Sequence, residues 1–235
     1  MTLTNKFFSR TTLKIIALIA MTIDHVGLIF FTENLVFRAI GRIAFPIFAY
    51  FIAEGAVYTK NYFKYFFRMF LLGVIFLLVF YIFMNKIYFS IFSVFSFSLL
   101  IIYLYKKIVL FGENEKYLLM SSCILIGLGL RTIICYLTTI FKFDYGIFGV
   151  ITPVLIYLFA NKNLKLLVLI ISLGVHSFVN GVFPSYICIF SLCAIPLLML
   201  YNGEKGKMNL KYFFYLYYPL HLVFLYGLAL AINVL

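Results

Sequence analysis

The chain has 235 residues, of which 66% are hydrophobic and only 11% charged, and its mean hydropathy is +1.13. Soluble globular domains carry about 25% charged residues, so this composition excludes a water-soluble fold. A net charge of +12 would suit a nucleic-acid binder, unless the charge has another purpose in its placement.

A helix crosses the hydrocarbon of a bilayer with roughly 20 apolar residues. Taken in chain order, spans are expected at 13–32, 37–57, 66–84, 87–105, 117–140, 146–160, 164–183, 185–201 and 212–232. The first follows Lys6 and Arg10 and includes Lys14, a plausible basic lead for a signal peptide. Its apolar run is too long for that purpose and no small-residue cleavage site closes it, so it reads as a retained span. The sixth is short, at about 16 residues, and would be tilted, re-entrant, or begin below the outer surface. Asn180, Gly181 and Pro184 mark a tight turn between the seventh and eighth. Only 112–116 reads as a soluble loop, and there is no internal repeat. The expectation is an all-α fold: a polytopic transmembrane helix bundle of nine spans, forming one integral membrane domain over 1–235.

The basic residues then sort by side. Lys6, Arg10, Lys14, Lys60, Lys64, Arg68, Lys106, Lys107, Lys116, Lys162, Lys165, Lys205, Lys207 and Lys211 are fourteen on one side, against Arg38, Lys86 and Lys142 on the other. Arg42 and Arg131 fall within spans. The positive-inside rule places the fourteen in the cytoplasm, with the N-terminus in and the C-terminus out. The charge is therefore topology, and no nucleic-acid partner is expected. The expected location is a bacterial cytoplasmic membrane.

Cys123, Cys135, Cys188 and Cys193 have no CxxC or metal-ligand spacing. They read as small packing residues, and no metal is expected. Ionisable groups inside the membrane are costly, and each is a functional candidate on that ground. Asp24 and His25 lie about 15–18 Å along the first span. His176 and His221 fall at similar heights, so all three histidines of the chain sit near the midplane. Arg42 and Arg131 lie higher, and Glu54 lies near the inner end of the second span.

Each has a structural alternative. Arg42 and Arg131 are able to snorkel, and Glu54 reads as an interfacial acid. His221 follows Pro219 and could bond a carbonyl at that kink, and His176 could be an interhelical hydrogen-bonding residue. Asp24 and His25 differ, because two adjacent ionisable groups at mid-membrane cost several kcal/mol without partners. Asp24 is able to take Arg42, leaving His25 to move protons.

Several segments resemble the TraX family of membrane acyltransferases, itself related to a broader transmembrane acyltransferase superfamily. The resemblance runs through Leu13-Lys14-Ile15-Ile16-Ala17, Ile23-Asp24-His25-Val26-Gly27 and Phe37-Arg38-Ala39-Ile40-Gly41-Arg42-Ile43-Ala44-Phe45-Pro46-Ile47-Phe48-Ala49, then Glu54-Gly55. It returns at Asp144-Tyr145-Gly146 with Gly149-Val150, at Tyr201-Asn202-Gly203 with Lys205-Gly206, and at Tyr218-Pro219-Leu220-His221-Leu222. It departs in spans three and four, where 74–83 is wholly apolar in place of an acidic Glu-x-Pro-type segment.

The resemblance implies transfer of an acetyl group from acetyl-CoA, typified by N-terminal acetylation of a membrane-inserted pilin. Such chemistry needs a general base near neutral pKa. His25 is the candidate, as base or acyl carrier, with Asp24 orienting an imidazole or pairing Arg42. Arg42 or His176 would stabilise the tetrahedral oxyanion. Candidate substrate-binding residues are His176, His221, Arg38, Glu54, Asp144 and Tyr145. Lys60, Lys64, Arg68 and Lys205 would meet the CoA phosphates. The acceptor is open among a membrane-associated peptide, a saccharide and a lipid. Two other classes stay open: a proton-coupled transporter and a non-catalytic scaffold of a secretion or conjugation complex.

Overall fold

The computed structural model describes residues 7–84, 87–109, 142–179, 186–208 and 210–233. The helices are α1 (Arg10–Phe30), α2 (Leu35–Gly41), α3 (Ala44–Tyr58), α4 (Tyr62–Met84), α5 (Ile91–Val109), α6 (Gly146–Tyr157), α7 (Lys162–Val179), α8 (Tyr186–Leu192), α9 (Ala194–Met199) and α10 (Lys211–Ala231). Two-residue strands β1 (Tyr88–Phe89) and β2 (Lys142–Phe143) pair in parallel, and with an isolated bridge between Phe8 and Tyr201 they depart from an all-α expectation. Among the described residues, five helices are long and apolar enough to cross a membrane: Arg10–Phe30, Leu35–Tyr58, Tyr62–Ile82, Lys162–Val179 and Tyr212–Ala231.

Two expected spans are broken. The segment 37–57 divides into α2 and α3 at Arg42 and Ile43, and 185–201 divides into α8 and α9 at Cys193. Pro46 and Pro196 each sit early in the second piece of their pair, where a missing N–H costs no intrahelical bond. The fourth span starts later than expected, at Ile91, because Tyr88 and Phe89 pair with β2. The span 117–140 with Arg131, Cys123 and Cys135, the 180–184 turn, Lys6, Lys86, Lys116 and the side chain of Cys188 lie outside the described residues.

The chain packs as two compact units, Met1–Phe51 with Asn161–Leu235, and Ile52–Ala160. In the first, Ser9 caps α1 by accepting from the Thr12 N–H at 3.2 Å, and Asn34 caps α2 from Val36 at 3.0 Å. Helix α2 turns back against α1 because both carry glycine at the crossing. A Cβ at Gly27 would overlap Phe37, and one at Gly41 would overlap the Asp24 side chain. Small residues at such crossings let helix backbones approach within a membrane. Helix α10 meets α1 through Ile29, Leu225 and Ala229, packed round by Val26, Phe30 and Tyr226. The 200–206 segment ties back to the start of α1: Asn202 N–H donates to Phe8 O at 2.9 Å, Arg10 N–H to Glu204 O at 2.8 Å and the Thr11 hydroxyl to Lys205 O at 2.7 Å.

The second unit is held differently. Gly73 of α4 lies against Ser93 of α5, Phe76 stacks on Phe92 at 5.8 Å, and the Tyr62 hydroxyl donates to Leu99 O at 2.6 Å. Helix α6 packs its Val150 on Val94, and the Ser98 hydroxyl donates to Val150 O at 2.8 Å. The outer faces of α4 and α10 expose large apolar side chains, among them Phe63, Leu78, Ile82, Leu216, Val223 and Phe224. Such a surface suits lipid and not water.

Candidate functional site

The first unit gathers most of the ionisable residues that the sequence singles out. Arg38 and Arg42 are four apart, so a helical turn sets them one above the other. Both reach Asp24. Arg38 Nη1 donates to Asp24 Oδ2 at 2.9 Å, and Arg42 Nη2 donates to Oδ1 at 3.2 Å and Oδ2 at 3.4 Å. The side chains are 31%, 13% and 15% exposed for Arg38, Arg42 and Asp24. Arg42 Nε also donates to Arg38 O at 3.2 Å, closing the end of α2. Gly41 makes the pair possible, since any side chain there would occupy the space of the carboxylate.

Arg42 therefore does not snorkel, and Arg38 is no outer-loop charge. Buried ions need partners, and one carboxylate shared by two guanidinium groups leaves this trio a net positive charge when all are ionised. The i, i+4 spacing of the arginines was the signal for Arg38, visible only once α2 is known to begin before it.

His25, the next residue of α1, points to a different partner. Its Nδ1 lies 2.9 Å from Nε2 of His221 on α10, while His221 Nδ1 lies 2.9 Å from Tyr217 O. A carbonyl oxygen only accepts, so His221 carries its proton on Nδ1. With both rings neutral, His221 Nε2 is then an acceptor and His25 Nδ1 the donor. His25 Nε2 is left as the nitrogen with a lone pair. His221 bonds its own helix at Tyr217 O, not at the Tyr215 carbonyl that Pro219 deprives of its helical N–H, and this bond fixes the tautomer of His25 two steps away. His221 is 7% exposed.

Two tyrosines hold this pair: Tyr218, quoted above only as part of a motif, and Tyr217, absent from the sequence reading. Tyr217 stacks on His221 at 5.2 Å, and Tyr218 meets His25 edge-on at 5.9 Å and His221 at 5.3 Å. The Thr22 hydroxyl donates to Leu18 O at 2.9 Å, so Tyr217 OH is the donor in its 2.8 Å bond to Thr22. Thr22 and Tyr217 stand one turn before His25 and His221 respectively, which was their available signal. Arg38 and Arg42 lie within electrostatic reach of His25. His176, half-buried on α7, lies within reach of Arg42.

The other candidates are elsewhere. Lys205 is exposed on the segment tied to Thr11. Glu54, Lys60, Arg68, Asp144 and Tyr145 belong to the second unit. Glu54 is buried on α3. Lys60 is exposed between α3 and α4, and Arg68 is half-buried on α4. Asp144 accepts from the Tyr88 hydroxyl, and Tyr145 takes a left-handed φ of 58° at the start of α6. The Asp-Tyr-Gly motif thus builds the β2–α6 turn. Among the described residues, no three of His, Cys, Asp and Glu gather to hold a metal ion.

These features define a multi-helix membrane protein with a polar cluster of two histidines, two arginines and an aspartate built inside it. The family model described as TraX protein matches residues 9–229, and the chain belongs to that family. It is 29% identical to "Probable fimbrial assembly protein FimC, serogroup H1" of Dichelobacter nodosus over 236 residues, 93% of this chain and 94% of the relative. A shorter stretch of 47 residues is 51% identical to an uncharacterized protein of Rickettsia prowazekii (strain Madrid E), covering 20% of this chain and 19% of that one. No solved structure matches.

Proposed function

We propose that the protein is a membrane acyltransferase that moves an acetyl group from acetyl-CoA to an amine or hydroxyl acceptor. The observation that carries this reading is the Tyr217 O–His221–His25 chain of hydrogen bonds beside the Asp24 ion cluster. It supplies a histidine with one defined basic nitrogen, held by a second ring, next to excess positive charge. That combination suits acyl transfer better than a simple structural pair.

In the proposed reaction His25 Nε2 takes the N–H or O–H proton of the acceptor as its lone pair bonds the acyl carbon. The new charge on the carbonyl oxygen is offset by Arg38, Arg42 or His176, in surroundings where an aligned cation counts for more than in water. The C–S bond then breaks, and the proton on His25 leaves with the thiolate as the free thiol. His221 keeps the His25 ring in register throughout, the part an orienting acid plays in other base-assisted sites. Asp24 is committed to the arginines and does not act on the imidazole.

The proposed setting is a bacterial cytoplasmic membrane, with nine spans, the N-terminus inside and the C-terminus outside. With Arg38 placed against Asp24, fourteen basic residues on the expected inner side face only Lys86 and Lys142 on the other, and this imbalance and the five apolar helices support the reading. Because a relative over nearly the full length carries a fimbrial assembly name, the favoured acceptor is the terminal amine of a membrane-inserted peptide of the pilin kind.

The test is thiol release from acetyl-CoA by protein in nanodiscs, with and without such a peptide. Wild type should exceed His25→Ala by about 10²–10⁴-fold, the usual worth of a general base. Absence of release from wild type, together with uptake driven by a proton gradient, would replace this reading with proton-coupled transport.

A further inference from the structure

Pro219 interrupts α10 within the site that this helix helps to build. Proline has no N–H, so the turn of α10 from Tyr215 to Pro219 lacks its helical hydrogen bond. Helices bend most readily at such points. Tyr217 stands two residues before the proline and His221 two residues after it. His221 nonetheless has to keep Nε2 on His25 Nδ1, 2.9 Å away on α1.

Two hydrogen bonds to α1 bracket the proline. After it comes the bond between His221 and His25. Before it, the Tyr217 hydroxyl donates to Thr22 Oγ1 at 2.8 Å, and Thr22 gives its own proton to Leu18 O at 2.9 Å. A hydroxyl has one proton to donate, so α1 itself sets the direction in which Thr22 receives Tyr217. Thr22 and His25 are three apart, and Tyr217 and His221 four apart, which puts each pair on one face of its helix. Farther along, α10 rests on α1 through Leu225 and Ala229 against Ile29. At the proline turn Leu216 and Leu220 are exposed, and polar groups and rings make the contact with α1.

The Tyr217 ring carries the effect of its hydroxyl to His221. The two rings stack at 5.2 Å with 16° between their planes, and Tyr218 meets the imidazole edge-on at 5.3 Å. The last torsion of a histidine is broad and roughly two-fold, so the side chain itself does little to prevent a half-turn of the ring. Such a turn would take Nδ1 off Tyr217 O and present a C–H edge to His25. The stacked ring blocks it for as long as its hydroxyl is held.

We propose that Thr22 and Tyr217 are positioning residues of the acyl-transfer site. Their bond clamps α10 to α1 ahead of Pro219, fixes the His221 ring, and through it keeps Nε2 as the basic nitrogen of His25. Both act through His221 and not on the acyl group. This rests on the acyl-transfer reading and deepens it by giving the site a second rung.

The test uses full-length protein in nanodiscs and two readouts. One is thiol release from acetyl-CoA; the other is the ¹⁵N spectrum of His25, which reports its tautomer whether or not the protein turns over. Tyr217→Phe keeps the stacked ring and removes only the hydroxyl. It should lower kcat by about five- to tenfold, the scale of one hydrogen bond. KM for acetyl-CoA should stay within about twofold, and His25 should change from the Nδ1–H form to a mixture. Thr22→Val should do the same, and the double variant should be no worse than either single one, because both remove one bond. Thr22→Ser keeps the hydroxyl and should stay within about twofold of wild type. On a Pro219→Ala background, where the helical N–H is restored, Tyr217→Phe should cost less than about threefold. Wild-type kcat in Tyr217→Phe would overturn the proposal. So would a lowered kcat with His25 still wholly in the Nδ1–H form, or an undiminished loss on the Pro219→Ala background. Should Tyr217→Phe fail to fold, Thr22→Val carries the same expectations and the same ways to fail. No thiol release by wild type, with the ¹⁵N change in Tyr217→Phe still present, would remove the acyl-transfer reading and leave the clamp standing.

Discussion

The two units of this chain are both apolar, yet they are specified by different means. In the first, ionised and imidazole groups select their neighbours: Asp24 with Arg38 and Arg42, His25 with His221, and Thr22 with Tyr217. In the second, small residues and rings do so: Gly73 against Ser93, Phe76 on Phe92, Ser98 bonded to a carbonyl of α6. Within a membrane the hydrophobic effect does not distinguish a lipid tail from a leucine. Specificity has to come from close packing or from polar groups that lipid cannot satisfy. The first unit uses both and places its chemistry where the polar groups already had to be. The second uses packing with a few hydroxyl bonds.

That contrast predicts that polar truncations will damage the first unit most. Asp24→Ala leaves two arginines without their shared carboxylate and should destabilise the protein by about 3–5 kcal/mol, read as a drop in the thermal midpoint of the detergent-solubilised protein. A fall of the same size in Asp24→Asn would show that the charge, and not the shape, is what matters. His25→Ala should leave that midpoint within about 1 kcal/mol of wild type, since it removes one neutral hydrogen bond. Its thiol release should nonetheless fall by about 10²–10⁴-fold. A large loss of stability with little loss of rate would reverse the roles given to Asp24 and His25.

His221→Phe keeps a ring between Tyr217 and His25 but removes the acceptor nitrogen. Turnover should fall by about 10–100-fold, the scale seen when an orienting partner is removed. The ¹⁵N shifts of His25 should also change from the Nδ1–H tautomer to a mixture, which a purely structural role would not produce. In the second unit Gly73→Val forces a side chain into Ser93 and should cost about 1–3 kcal/mol through overpacking, with little effect on kcat. The smallest effect expected is Ser98→Ala, about 0.5–1.5 kcal/mol for one lost hydrogen bond. Were Gly73→Val to abolish turnover at unchanged stability, the second unit would have to carry chemistry, and the contrast would fail.

Much was legible from the chain itself. Of the nine spans expected from apolar run lengths, five coincide with helices among the described residues that are long and apolar enough to cross a membrane, because a bilayer imposes one length on every crossing. The cost of an ion in hydrocarbon marked Asp24, His25, Arg42, His176 and His221 before any neighbour was known. The family was also readable, from motifs that turn out to have packing reasons: Gly27 and Gly41 admit α2 to α1, and Asp144-Tyr145-Gly146 forms a turn.

What tertiary structure alone decided was pairing. Depth along a helix is a one-dimensional quantity that a sequence contains, whereas the direction of a neighbour is not. That Asp24 serves the arginines while His25, one residue later, serves His221 depends on the roughly 100° between successive helical positions and on which helix lies at each bearing. Nothing local in Glu54 or Tyr217 distinguishes a buried acid from an exposed one, or a ring that faces lipid from one that stacks on a histidine. Those outcomes depend on residues distant in the chain, brought near only when the helices pack.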